Sequence, residues 1–166
     1  MRLRAQSLLL CAVGVGCAPT TGPLSPPLEV LVVLDRDARS LLLVPVDSTA
    51  LAVTIPLGAT AGQPTTLGVR GAVAAIGFDN ADAIVIVDLV QRIPLRTINV
   101  NATPPIAALA FAPNGIGYAA SPRPNRVTAF DPATGQVNPT LVPGGPQGLG
   151  FARGAVFVGS EALFAV

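Results

Sequence analysis

The chain has 166 residues, a formal net charge of +1, and a composition that is 51% hydrophobic and only 11% charged. This composition excludes an intrinsically disordered chain. Ten dispersed arginines against nine acidic residues also exclude the basic surface that nucleic-acid binding requires. Histidine is absent, which removes the usual general base near neutral pH and every Ser-His or Cys-His nucleophile pair.

The amino terminus predicts an export signal. Arg2 and Arg4 form a positive region, and the apolar stretch over residues 7–16 is too short to cross a bilayer as a helix. We therefore expect a lipoprotein-type signal peptide over residues 1–16 and no transmembrane helix. Residues 17–27 contain APTTGPLSPP, which is typical of an extended spacer.

The cysteines bear on the same region. Cys11 and Cys17 are the two cysteines of the chain, so we expect neither a disulfide nor a thiolate metal site after the spacer. The VGVGC string that ends at Cys17 resembles the lipobox of bacterial lipoproteins, and this resemblance implies lipid attachment at Cys17. Ordinary signal-peptidase cleavage is the alternative, since Gly14 replaces the aliphatic residue of that pattern.

A repeat of about 41 residues follows. Three apolar strings end in aspartate, LLVPVD at 42–47, AIVIVD at 83–88 and RVTAFD at 126–131, and a proline recurs every 41 residues from Pro23 to Pro146. Each repeat contains a strand, a turn ending in glycine, a second strand, the aspartate-ended strand, a polar turn and a fourth strand. Four short antiparallel strands in about 40 residues are typical of a β-propeller blade.

The predicted fold class is accordingly all-β, a β-propeller of four-stranded antiparallel blades that is incomplete, with about 3.5 blades present. The predicted domain covers residues 28–166, with repeats at about 28–63, 64–104, 105–145 and 146–166. Pro45 is a misfit within its strand, because proline lacks the amide donor that a strand ladder needs.

The best-formed repeat carries a family resemblance. APNG at 112–115, NRV at 125–127 and FDPATG at 130–135 resemble the YVTN-type, YncE-like β-propeller repeat of exported bacterial proteins. The Tyr-Val-Thr-Asn string itself is missing, and Tyr118 is its one counterpart. The resemblance implies a propeller fold and no single activity.

Few residues are candidates for chemistry. Asp47, Asp88 and Asp131 are interpreted as structural turn caps, because an aspartate there can accept hydrogen bonds from the amides of its own turn. The acidic runs at 35–37 and 79–82 lack the rest of a calcium loop and are interpreted as turns. Arg70 and Arg153 fall in equivalent turns, where they are solvated or face a ligand. We expect no catalytic residue, no metal site and no cofactor.

The function that these observations favour is a non-catalytic binding or interaction scaffold at the bacterial cell envelope. Its expected partner is an unknown protein or small ligand, not nucleic acid. We expect the protein to be exported to the outer membrane or periplasm and to contact the membrane by a lipid anchor only. Self-association through the open blade edge is a further expectation. The alternative is a fragment of a propeller enzyme, lactonase-like or a quinone-dependent dehydrogenase, whose active-site residues lie in missing blades.

Overall fold

The computed structural model describes residues 29–47, 52–58, 62–101, 105–123, 125–142, 144–152 and 155–160. Regular secondary structure in these ranges is entirely β-strand, which confirms the predicted all-β class. The predicted signal peptide and the whole predicted spacer, which begins with Cys17, lie outside the described residues. The strands are β1 (Val30–Asp35), β2 (Ser40–Pro45), β3 (Val53–Pro56), β4 (Pro64–Arg70), β5 (Val73–Phe78), β6 (Ala83–Asp88), β7 (Ile93–Asn99), β8 (Ala108–Phe111), β9 (Gly117–Ser121), β10 (Arg126–Phe130), β11 (Val137–Leu141), β12 (Pro146–Ala152) and β13 (Ala155–Ser160).

These strands form four antiparallel sheets in which neighbours in space are neighbours in sequence. Sheet 1 contains β1, β2 and β3, sheet 2 contains β4 to β7, sheet 3 contains β8 to β11, and sheet 4 contains β12 and β13. Sheets 2 and 3 are the four-stranded meanders expected of propeller blades.

The sheets contact one another in chain order. Strand β1 lies beside β4, β4 beside β8, and β8 beside β12, so the first described strands of successive sheets are adjacent. Among the described strands, no contact of similar extent joins sheet 4 to sheet 1. The sheets therefore stack as successive blades do.

Sheet 2 is covered on both faces, which explains the continuous apolar run AIVIVD. Ile84 and Ile86 belong to the cluster that packs against sheet 3, while Val85 and Val87 belong to the cluster that packs against sheet 1. Successive side chains of a strand point to opposite faces, and here each face meets a neighbouring sheet. Each fully buried aliphatic side chain stabilises the fold by roughly 1.5–3 kcal/mol.

In two hairpins, the turn contains a glycine with a positive φ. Gly71 in the β4–β5 turn has a φ of 54°, and Gly115 in the β8–β9 turn has a φ of 93°. Glycine adopts this left-handed conformation without the steric cost that a Cβ brings. Two arginines also adopt the left-handed backbone conformation, Arg39 with a φ of 51° and Arg92 with a φ of 61°.

The backbone register shows how sheets 1 and 2 correspond. The amide of Val46 donates to the Glu29 carbonyl, and the amide of Leu89 donates to the Ala72 carbonyl, 43 residues later in both partners. The counterpart of Asp88 in sheet 1 is therefore Pro45, and Asp47 lies two residues beyond that point.

Pro45 is also placed where its missing donor matters little. It is the last residue of β2, and pairing of β2 with β3 ends before it, at Leu43 and Val53. Proline is tolerated at such a strand end.

Candidate functional site: an apolar cavity between sheets 1 and 2

A cavity of about 530 Å³ lies between sheets 1 and 2, at the end of the sheets that carries the β4–β5 and β6–β7 turns. Its size falls in the range of small-molecule sites. Ten of its lining residues are apolar or glycine, and the remaining one is an arginine. The lining is formed by Val30, Val32, Leu43, Pro45 and Val53 from sheet 1, and by Val69, Gly71, Ala72, Leu89, Val90 and Arg92 from sheet 2.

Side-chain volume explains why this space is open. The corresponding space between sheets 2 and 3 is about 240 Å³ and is lined in part by Phe111, whose ring packs edge-on against Phe130 at 5.8 Å between centroids. The residues at the equivalent positions of sheet 2 are Val69 and Val87. Because valine is much smaller than phenylalanine, the cavity at the first interface is larger than the space at the second.

Asp88 shapes the turn that walls one side of the cavity. Its Oδ1 accepts hydrogen bonds of 2.8 Å from the amides of both Val90 and Gln91. Leu89, Val90 and Arg92 follow directly and all line the cavity. The carboxylate thus orders the backbone that presents them.

Asp131 makes the same kind of turn in sheet 3. Its Oδ1 accepts a hydrogen bond of 2.8 Å from the Ala133 amide, and its Oδ2 accepts one of 2.9 Å from the Thr134 hydroxyl. The Ala133 amide, the Thr134 side chain and backbone and the charge of Arg96 together lower the pKa of Asp131, against a smaller effect of burial that raises it. For Asp47 the following residues, 48–50, lie outside the described part of the chain.

Arg92 is the charged residue of the cavity lining. It is exposed, and within the described ranges no hydrogen bond or ion pair involves its guanidinium. Its charge is therefore available to a ligand in the cavity. An apolar chamber with a guanidinium at its mouth suits an apolar molecule that ends in an anion.

Three other arginines donate hydrogen bonds to backbone carbonyls of a neighbouring sheet or of the residues that flank it. Arg70, for which the sequence left open a solvated or a ligand-facing position, is one of these arginines, whereas Arg153 lies outside the described residues. Such contacts tie neighbouring sheets together, and Arg70 also lines the smaller space between sheets 2 and 3. Arg36 donates to the Pro64 carbonyl (3.1 Å), Arg126 donates to the Asn101 carbonyl (2.7 Å), and Arg70 donates to the Pro113 carbonyl.

In the described ranges, no group of three potential metal ligands occurs. Asp79, from one of the acidic runs, accepts a hydrogen bond of 2.7 Å from the Gln63 amide.

In the part of the chain that the structure describes, no helix is long and apolar enough to span a membrane.

Sequence reasoning missed the cavity and Arg92. The sequence signal was the fourth residue after two of the strand-ending aspartates, which is Gly135 after Asp131 but Arg92 after Asp88. An arginine at a position that requires positive φ is unusual, and such a residue points to a local role.

Comparison with solved structures places the fold. Hydrazine synthase from Kuenenia stuttgartiensis matches 78% of this chain with a TM-score of 0.62 and 15% identity, and AztD from Citrobacter koseri matches 74% with a TM-score of 0.60 and 14% identity. Both are β-propeller-like proteins, so the chain has a propeller-like fold. It spans 41% of the first and 34% of the second. No family model and no curated protein matches the sequence.

Proposed function

We propose that the protein is a non-catalytic binding scaffold of the bacterial cell envelope, and that the cavity between sheets 1 and 2 is its ligand site. The observation that carries this proposal is the apolar chamber of about 530 Å³ with Arg92 in its lining. Apolar walls supply affinity by removing ligand surface from water, and the guanidinium selects an anionic end.

The ligand class that fits is a compact amphiphile with a carboxylate. Decanoate and decanol form a matched pair of probes, since both fill an apolar chamber and only decanoate offers a charge to Arg92. We expect decanoate to bind more tightly in titration calorimetry. Arg92→Gln should weaken decanoate at least threefold and leave decanol unchanged.

Arg123→Gln is the matched control, because Arg123 is an exposed arginine in the β9–β10 turn, outside the cavity. A second variant, Ala72→Phe, should fill the cavity and weaken both probes. The proposal is refuted if neither probe binds the unaltered protein, or if Ala72→Phe leaves binding as it was.

The envelope location is proposed from the amino terminus. Its support is the basic and apolar sequence of residues 1–16 and the lipobox-like string ending at Cys17. Cys17→Ser should move the protein from the membrane fraction to the soluble fraction and abolish incorporation of labelled palmitate. Unchanged membrane retention in that variant would show that the anchor is elsewhere.

We also propose kinship with the YVTN-type propeller repeat. Its support is the propeller-like fold together with the strings APNG, NRV and FDPATG of the third repeat. The aspartate and Thr134 of the last string form the hydrogen-bonded turn of sheet 3.

A propeller enzyme is the second candidate, and the observation that favours it is the likeness of the fold to hydrazine synthase from Kuenenia stuttgartiensis. Further 41-residue repeats carrying His or Glu clusters in the reading frame beyond Val166 would favour this candidate. A stop codon at that point, together with decanoate binding by the 166-residue chain, would favour the scaffold.

A further inference from the structure

The β12–β13 hairpin of sheet 4 repeats the β4–β5 hairpin of sheet 2, 82 residues later. Both hairpins have the same pairing register, and both contain a β-bulge at the same point. Gly150 and Gly159 of sheet 4 therefore occupy the positions of Gly68 and Gly77 in sheet 2.

In sheet 2 those two glycines make room for the next sheet. A Cβ at Gly68 would lie 3.2 Å from the Leu109 Cβ, and a Cβ at Gly77 would lie 3.0 Å from the Ile106 Cβ. These approaches are tighter than ordinary packing. The glycines thus let β8 and the residues before it lie directly against sheet 2.

Among the described residues, nothing covers the same face of sheet 4. A Cβ at Gly148 or Gly150 would have no neighbouring atom within 4 Å. Phe157, at the position of the fully buried Ala75, is 58% exposed. Sheet 4 thus presents a glycine-lined surface of the kind that sheet 2 uses to bind a neighbouring sheet, and we call it the trailing face.

Sheet 1 presents the opposite half of such an interface. Val87 and Phe130 lie 43 residues apart at equivalent positions facing the preceding sheet, and both are almost completely buried. Val44 is the equivalent residue of sheet 1, and it is only partly buried. It shares its face with two exposed side chains, Leu31 (58%) and Val33 (38%), and we call this surface the leading face.

We infer that the trailing face of one copy of the chain binds the leading face of a second copy, head to tail. The leading face offers branched aliphatic side chains, and the trailing face offers glycine hollows beside Phe157. This pairing reproduces the sheet 2–sheet 3 interface, in which Ala75 and Phe130 belong to one buried cluster. Two copies also approach the length of the structural neighbours, of which one copy spans 41% and 34%.

Cross-linking tests the pairing directly, using the full chain with Cys11→Ser and Cys17→Ser. One preparation carries Val44→Cys and the other Phe157→Cys, at positions equivalent to the clustered pair Phe130 and Ala75. We expect a disulfide-linked heterodimer on mixing, and little product from either preparation alone. Efficient linkage of Phe157→Cys with itself, or no linkage in the mixture, would overturn the inference.

A mass measurement by light scattering or sedimentation provides the second test. The protein with unaltered faces should be a dimer in which both trailing faces are paired with leading faces, since a single head-to-tail contact would leave faces free for further copies. Gly150→Leu should raise the dissociation constant of this dimer at least tenfold. The variant should fold, since no atom lies within 4 Å of the added Cβ. Thr97→Leu, on the exposed strand β7, is the matched control. A monomer at 100 µM would refute the pairing and leave the cavity proposal untouched.

Discussion

The ring of Phe130 lies directly over Gly117, its cross-strand partner on β9, so closely that a Cβ at Gly117 would overlap the ring. Phe130 is 1% exposed and contributes to the core between sheets 2 and 3. The Phe130 ring, the largest side chain of that core, can therefore pack there only because residue 117 is a glycine.

Gly117→Ala should destabilise the protein by about 1–3 kcal/mol, because the added methyl group must displace the Phe130 ring from its packed position. Urea unfolding measures the change. Gly145→Ala is the control, since a Cβ at Gly145 would make only ordinary contacts, the nearest at 3.5 Å to the Pro122 carbonyl oxygen. Equal stability of the two variants would contradict this account.

Ile76→Ala should cost about 2–5 kcal/mol, because Ile76 is fully buried between sheets 1 and 2 and its truncation leaves a cavity. Leu95→Ala removes a similar volume from an exposed side chain and should change stability by less than about 0.5 kcal/mol. Thermal and urea unfolding of both variants provide the comparison. A small loss for Ile76→Ala would mean that sheet 1 is not packed on sheet 2 as described.

Arg92→Gly should stabilise the fold by about 0.5–1 kcal/mol while it weakens decanoate binding. Arg92 has a φ of 61°, and Gly135 at the equivalent position has a φ of 82°. Removing the Cβ relieves the left-handed strain, and part of that gain is offset by the greater freedom of glycine in the unfolded chain. Urea unfolding and calorimetry measure the two effects, and a loss of stability would show that the arginine has structural partners.

Asp131→Asn should lower the melting temperature at pH 7, and the difference from the unaltered protein should shrink in acid. The Ala133 amide and the Thr134 hydroxyl lower the pKa of Asp131 in the folded state, so the contribution of the charged form is present above the ordinary aspartate pKa of about 3.9. It is lost as pH falls through the lower folded value.

Melting curves from pH 7 to pH 2 measure that difference. Asp37→Asn, in the exposed β1–β2 turn, controls for a simple loss of charge. A difference for Asp131→Asn that does not vary with pH would mean that the carboxylate acts through shape alone.

Local chemistry is what the sequence by itself determined about this protein. Apolar strings, turn glycines and aspartate turns identified the all-β class and the four-stranded meander, since each of these features acts between residues close in the chain. Gly71 and Asp88 illustrate this, because the first needs only its own φ and the second only the amides two and three residues ahead.

Tertiary structure alone decided which side chains meet. It put Pro45 instead of Asp47 in register with Asp88, and engaged Arg70 on the Pro113 carbonyl. It also left a larger cavity beside Val69 than the space that Phe111 lines at the next interface. These outcomes depend on how side chains from positions about 40 residues apart fill the space between two sheets. A local sequence pattern does not specify the combined volume of side chains so far apart in the chain.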